Sequence, residues 1–281
     1  MSAIATRPFG KTGYLMPVLA LGGAKALESK RNQAGANRII DEALNAGVRY
    51  IDSAANYNES EEVIGQALQG RRQQVYLSTK SDRRDHDGAW RELERSLKRL
   101  RTDYLDQWIV HHVSTAQDVQ RLTAPDGALR AFWKAKEQGI VKRVGISGHH
   151  DPAILKQMLE AYPFDMVLMP LNPAEWHHPR SFSKQLLPIA VKLGIGIAVM
   201  KVPALGKLMQ AGRLNPAEAL RYALSHPIHT AVVGVDNLQQ WREWLKAARN
   251  FTPMTETDIS AMHARVTPYW DDSTRTYHAW L

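Results

Sequence analysis

Short apolar, β-branched runs alternate with longer stretches in which apolar residues recur every three or four positions, and this alternation repeats eight times along the chain. Runs of the first kind predict strands, and the 3.6-residue period of the second predicts amphipathic helices. After a β-hairpin expected near residues 7–18, the predicted strands are 19–23, 50–54, 75–80, 105–111, 143–148, 166–171, 196–201 and 230–235. The predicted helices are 38–45, 61–68, 89–100, 127–138, 152–161, 182–193, 217–224 and 238–248. Punctuation supports the boundaries: Ser60 before Glu61 and Glu62 reads as an N-cap, Asp151-Pro152 and Asn215-Pro216 as cap-then-start pairs, and Gly70, Gly139 and Gly194 as helix stops.

Strands that alternate with helices build parallel sheets. Eight such units without a Pro/Ser-rich linker predict one closed (β/α)8 TIM barrel over residues 1–281 rather than two open sheets. Its parts are a hairpin at about 7–18, a barrel at about 19–250 and a C-terminal tail at about 251–281. Barrels place chemistry at the C-terminal ends of their strands, which narrows the search to eight short segments. Titratable residues buried there need partners.

Asp52 closes the second barrel strand, Tyr57 follows in its loop, Lys80 closes the third strand and His111 the fourth. A carboxylate, a phenol, an ammonium and an imidazole thus converge on one barrel mouth. Lys80 beside Tyr57 is expected to stabilise the phenolate and lower the tyrosine pKa, with Asp52 holding the lysine charged, so that the phenol can donate a proton to a carbonyl oxygen near neutral pH. His111 would orient that carbonyl. Taken singly, each of these residues could be a cap, a solvated charge or a packed aromatic; as a set at successive strand ends they resist a packing explanation.

Composition removes competing classes. The chain has 281 residues, 44% of them apolar and 23% charged, and no cysteine, which excludes thiol nucleophiles, Cys-ligated metals and disulfides and suits a reducing cytosol. No window approaches the ~18 apolar residues of a membrane span, so a soluble, cytoplasmic protein is expected. A net charge of +8 invites a nucleic-acid reading, but the basic residues are scattered in pairs and no block of five like charges occurs. Attraction of a small phosphorylated anion to one face is the sharper expectation. The sequence sets no oligomeric state.

Several stretches carry a family likeness: RPFGKTGYLMPVLALGG, AGVRYIDSAANYNESEEVIGQAL, VYLSTK, SLKRLRTDYLDQWIVHH, VGISG and, more loosely, AVVGVDNLQQWREWL. Over essentially its whole length the chain resembles the aldo-keto reductases. The resemblance implies a barrel that binds NADPH, with NADH as the alternative, in extended form across the strand ends, and that reduces a small-molecule aldehyde or ketone. The family's tetrad falls on Asp52, Tyr57, Lys80 and His111, the last chosen over His112 from its spacing to Asp106. Independently, no Gly-x-Gly-x-x-Gly follows a strand and opens a helix, which disfavours a Rossmann dehydrogenase.

Phosphates in such barrels settle in the loops after the seventh and eighth strands, near a helix N-terminus. The expected cofactor-binding residues are Gly22, Gly23, Ser147, Gly148, Met200, Lys201, Lys207, Gly234, Asp236, Asn237 and Gln240. The family pattern is altered in places: Gly148 stands where an asparagine is usual after Ser147, the sixth strand lacks the usual glutamine, and Met200 replaces the stacking aromatic. A thioether can still cover a ring face. His112, Trp176 and Trp270 are expected to line the substrate pocket, with Tyr269, Tyr277 and Trp280 as further tail aromatics. The doublets His111-His112, His149-His150 and His177-His178 leave open a metal-assisted hydrolase on the same fold, and a non-catalytic nucleotide sensor is the third class.

Overall fold

The computed structural model describes residues 4–271. A two-stranded antiparallel hairpin, β1 (Thr6–Pro8) and β2 (Leu15–Pro17), precedes eight parallel strands: β3 (Leu19–Lys25), β4 (Tyr50–Asp52), β5 (Tyr76–Ser81), β6 (Gln107–Val110), β7 (Val144–Ser147), β8 (Met166–Pro170), β9 (Gly196–Met200) and β10 (Thr230–Val235). Each strand pairs with its neighbour in chain order, and β10 returns to β3 through Ala231–Leu19, Val232–Ala20 and Val233–Leu21, which closes the barrel. All eight predicted strands are present; five are one to three residues shorter than the apolar runs, because ladder pairing stops where the chain peels off into the loops that carry polar residues.

The outer ring comprises α1 (Gln33–Asn45), α2 (Ser60–Ala67), α3 (His86–Leu100), α4 (Ala116–Thr123), α5 (Leu129–Glu137), α6 (Pro152–Ala161), α7 (Phe182–Gln185), α8 (Leu187–Leu193), α9 (Lys207–Gln210), α10 (Pro216–Leu224), α11 (Leu238–Arg249) and α12 (Glu256–Val266). These differ from the expectation in three ways. The single helix expected over 182–193 is two, α7 and α8, because Pro188 near the start of α8 cannot continue the amide ladder. The sequence reading passed over α9 and also α4 and α12, although the last two each carry a capping box, Thr115 with Asp118 and Thr255 with Asp258. Ser60 is not an N-cap: it is the first residue of α2, and its hydroxyl bonds inward to Gly23 O (2.7 Å) and Ser53 Oγ (2.8 Å).

The core is layered. One apolar cluster lies between strands and helices, and a smaller one fills the barrel interior with Phe9, Met16, Tyr50, Tyr76, Ile109, Met166 and Leu168 among others. The hairpin seals the floor: at Gly10, whose φ is +53°, a Cβ would lie 2.3 Å from Ile195 C, so only glycine allows this close approach. Burying Phe9, Tyr50 and Tyr76 there, each worth ~1.5–3 kcal/mol in removed apolar surface, leaves the opposite end as the open mouth.

Candidate active site

The second strand ends on Asp52, and the following turn, fixed by Tyr57 N to Ala54 O (3.0 Å) and Ser60 N to Tyr57 O (2.8 Å), returns Tyr57 over the mouth. Lys80 points inward from β5 and is buried. Its ammonium donates to Asp52 Oδ2 at 2.5 Å and to Ser53 O at 2.6 Å. Asp52 is held in turn by Ser78 Oγ (3.0 Å) and Tyr50 OH (3.4 Å) from the barrel interior. The Lys80 Nζ lies 5.1 Å from the centre of the Tyr57 ring, and the His111 ring meets Tyr57 edge to face at 5.8 Å. The four residues expected to converge are therefore together.

Their electrostatics differ in one respect from the expectation. Burial opposes the charge on Lys80, but Asp52 and Tyr57 together outweigh it and hold the ammonium above its usual range. Lys80 is the largest single influence on Tyr57 and pulls the phenol down. Burial, Asp52 and Glu28 push it up by more in sum, so the phenol stands above its ordinary value. It is a protonated donor, not a phenolate. His111 is driven well below the usual imidazole range by burial first and then by Lys80, His112, His149 and Lys201. It is neutral near neutral pH, and its buried Nδ1 has no hydrogen-bond partner among the described residues.

Two clefts meet at Tyr57, Leu168, Met200 and Lys201. The first, about 410 Å3, runs from Asp52 and Tyr57 past Gly22, Gly23, Lys25, Gly206, Gly234, Asp236 and Gln240 to Trp244. Glycines on its walls let main-chain groups approach a ligand closely; at Gly234 a Cβ would meet nothing nearer than 3.7 Å, so the space is open. Lys25 and Asp236 pair across its rim at 3.1 Å. The second, about 560 Å3, is bounded by Asn56, Lys80, Asp82, Arg84, His111, His112, Ser147 and His149. Both volumes suit small-molecule sites.

Of the expected cofactor residues, Gly22, Gly23, Met200, Lys201, Gly234, Asp236 and Gln240 line the first cleft and Ser147 the second. Gly148, Lys207 and Asn237 line neither. A Cβ at Gly148 would lie 2.5 Å from Val113 O, so an asparagine is sterically barred from this loop path. Asn237 caps α11 by accepting from Gln240 N (3.0 Å). His112 borders the second cleft as expected. Trp176 instead stacks on His263 of α12 at 4.5 Å, and Trp270 meets the edge of His178 at 5.8 Å; neither is among the described lining residues. Tyr277 and Trp280 lie outside the described residues. The sequence reading missed Lys25, Arg84 and His149 as lining groups; for Lys25 the signal was its place two residues past Gly23 at a strand end.

The histidine doublets divide: His111, His112 and His149 border the second cleft, whereas His150 Nε2 meets Arg180 (3.1 Å) and His177 Nε2 meets the carbonyl of His263 (3.0 Å). Among the described residues no three His, Cys, Asp or Glu side chains form a metal-binding group, and no described helix is long and apolar enough to cross a membrane.

Residues 18–217 match the model of the aldo/keto reductase family. The chain belongs to that family. As a family member it is an oxidoreductase. It is 26% identical to an uncharacterised oxidoreductase of Bacillus subtilis, YqkF, over 86% of this chain and 90% of that one. A stretch covering 50% of the chain is 33% identical to the methylglyoxal reductase DkgA of Yersinia pestis, over 48% of that protein. Among solved structures, the holo form of the aldo-keto reductase AKR11C1 from Bacillus halodurans superposes with a TM-score of 0.77 at 23% identity, covering 93% of this chain and 96% of that one. An aldo-keto reductase from Klebsiella pneumoniae in complex with NADPH gives 0.76 at 19% identity, covering 99% and 96%. These likenesses confirm the barrel.

Proposed function

We propose that this aldo/keto reductase reduces an aldehyde or ketone to the alcohol at the junction of the two clefts, with Tyr57 as the proton donor and NADPH as the preferred cofactor over NADH. The observation that carries the reading is the Asp52–Lys80–Tyr57–His111 cluster at the point shared by both clefts. The cleft wall, with Gly22 and Gly23 closely packed behind it and Gly234 facing open space beside Lys25 and Lys201, suits a dinucleotide's phosphates and riboses. Met200 at the junction offers a thioether face to an aromatic ring. The relatives' names support the cofactor and the carbonyl chemistry: NADPH for the Klebsiella enzyme, methylglyoxal reduction for that of Yersinia.

Held along Gly22, Gly23, Lys25, Gly234 and Met200, a dihydronicotinamide nucleotide would supply the hydride that the carbonyl carbon needs. Neutral His111 donates a hydrogen bond to the carbonyl oxygen and orients it. Tyr57 transfers its phenolic proton to the same oxygen as negative charge develops there, giving the alcohol. Lys80, held charged by Asp52, stabilises the tyrosinate left behind. A phenol that rests above its ordinary value gives up its proton only as that charge develops.

Fluorescence titration with NADPH and NADH in parallel, and carbonyl reduction by Tyr57→Phe against the parent, test the reading. Expected are binding of NADPH well below the millimolar range and a ~10²-fold or larger loss of turnover in the variant with cofactor affinity kept. Full activity in Tyr57→Phe, or no binding of either nucleotide, overturns it.

A further inference from the structure

The turn that carries the chain out of β6 breaks the pattern of the strand it ends. Successive carbonyls of an extended strand point to opposite edges. Those of His111 and His112 instead converge on one guanidinium: Arg84 Nη1 donates to His111 O at 3.0 Å and Nη2 to His112 O at 2.9 Å. The convergence accompanies a left-handed φ of +57° at His112, a conformation that a residue with a Cβ adopts only at a cost. Two carbonyl dipoles aimed at one point repel unless a donor lies between them, and such a turn persists only where its surroundings hold it.

Arg84 is itself anchored from several sides. Its Nε donates to Asp118 Oδ1 at 2.7 Å, its Nη1 also to Asp82 O at 3.1 Å, and its own carbonyl accepts from Ala128 N at 3.0 Å. Burial works against the Asp118 charge, but Arg84 and the amides of Ser114 and Thr115 outweigh it and hold the carboxyl below its usual range. Although Arg84 borders the second cleft, these contacts commit its fork to main chain and to Asp118.

His111 needs such a hold. Its buried Nδ1 has no hydrogen-bond partner among the described residues, and its ring meets Tyr57 edge to face at 5.8 Å. The direction of the imidazole is therefore set through its main chain. His111 N donates to Ser81 O (2.8 Å), Arg84 takes its carbonyl, and one residue on His112 N donates to Ser147 Oγ (3.2 Å).

We propose that Arg84 is a positioning residue for carbonyl reduction: by clamping the carbonyls of His111 and His112 it holds the left-handed turn, and so aims the His111 imidazole at the substrate oxygen. This rests on the reductase reading above. A planar fork can serve two carbonyls and a carboxylate at once, which a single ammonium does not.

The test is a double-mutant cycle on the intact protein with NADPH and 4-nitrobenzaldehyde, comprising the parent, Arg84→Met, His111→Ala and the two changes together. Arg84→Met should lower kcat by ~10-fold or more with NADPH affinity kept, since a misplacement of about 1 Å can cost ~10²-fold. Arg84→Lys should recover only part of that loss; full recovery would show that a point charge suffices and overturns the clamp. In the His111→Ala background the same Arg84 changes should hardly lower kcat further, because the group they aim is gone. Parental kcat in Arg84→Met overturns the proposal. So does an equal fold-loss with and without the His111 imidazole, the mark of a merely structural residue. If melting curves show that Arg84→Met does not fold, the cycle is read with Arg84→Lys by the same criteria. Should the parent reduce no aldehyde, the reductase reading fails by itself, and the clamp is read by NMR. The His111 ring protons, which carry the ring-current shift of Tyr57, should then move in Arg84→Lys while those of His263 stay; unmoved His111 signals overturn it.

Discussion

The ammonium of Lys80 lies 5.1 Å from the centre of the Tyr57 ring while donating to Asp52 Oδ2 at 2.5 Å. One buried cation therefore serves two anionic forms, a permanent carboxylate and a tyrosinate that exists only in turnover. The Lys80 and Asp52 side chains retain only 1% and 4% of their exposure, so water does little to screen either interaction.

Removing that cation separates its catalytic role from its structural one. Lys80→Met should cut turnover at neutral pH by ~10²-fold or more, since the tyrosinate loses its counter-charge. It should also cost ~3–5 kcal/mol of stability, because a buried carboxylate is left alone. The double variant Asp52→Asn/Lys80→Met is expected to regain most of the thermal stability and none of the activity, as read by melting curves beside kcat. A double variant as unstable as the single one would refute the buried-pair account.

Lys25 should contact the dinucleotide's phosphates. It borders the first cleft from the end of β3 and is now paired with Asp236 at 3.1 Å, with both side chains 52% exposed, an arrangement cheap to exchange for a ligand phosphate. Lys25→Ala is expected to raise the NADPH Kd by ~10-fold, a charge-assisted hydrogen bond's worth, and to make it less sensitive to salt. Unchanged affinity with unchanged salt dependence would remove Lys25 from this role.

Two glycines of the same cleft should respond oppositely. A Cβ at Gly23 would lie 2.6 Å from Ser60 Oγ and 3.0 Å from Asp52 O, whereas one at Gly234 meets only Ala24 and Lys25 at 3.7 Å or beyond. Gly23→Ala should therefore destabilise the fold by ~1–3 kcal/mol through overpacking. Gly234→Leu should melt within ~2 °C of the parent, since a kcal/mol moves Tm by ~2–4 °C at this size, and bind NADPH ~10-fold or more weakly. Tight NADPH binding by Gly234→Leu would show that the cofactor does not pass this wall.

Stability should fall on acidification from about 6.5. His263, which anchors α12 by bonding Tyr222 OH at 2.8 Å, is drawn down to about 4 by burial first and then by His177, His226 and Lys184. Between about 6.5 and about 4 the unfolded chain carries a proton on this imidazole that the folded chain does not, so unfolding is favoured as pH drops through that window. His178, His226 and His229 are lowered as well and act in the same direction. Melting temperatures of His263→Gln measured from pH 7 to pH 4 should slope less than the parent's; parallel curves would exclude His263 as a contributor.

The four tetrad positions were legible because each sits at or just past the end of an apolar run, where a strand's period makes an ionisable residue conspicuous. The lining roles of Lys25, Arg84 and His149 were not legible, since their elements become neighbours only through closure. Trp176 was misplaced for the same kind of reason: the ring that docks on it, His263, belongs to α12, whose inward face holds only Met262 and Val266 as buried residues and so shows little apolar period. The direction of the Tyr57 shift also escaped sequence reasoning, because a neighbouring charge can be inferred from a pattern and burial cannot.

Periodicity, caps and glycine placement along the chain determined eight strand–helix units, their order and the residue types at each strand end, since these follow from local backbone and solvation preferences. Tertiary structure alone decided which strand ends face one another, how deeply Lys80 and Asp52 are withdrawn from water, and that one flank of the mouth is built of glycine and the other of cationic and imidazole groups. Those properties depend on the β10–β3 pairing that closes the barrel across more than 200 residues of chain, and electrostatic strength depends on the distances and desolvation that closure sets.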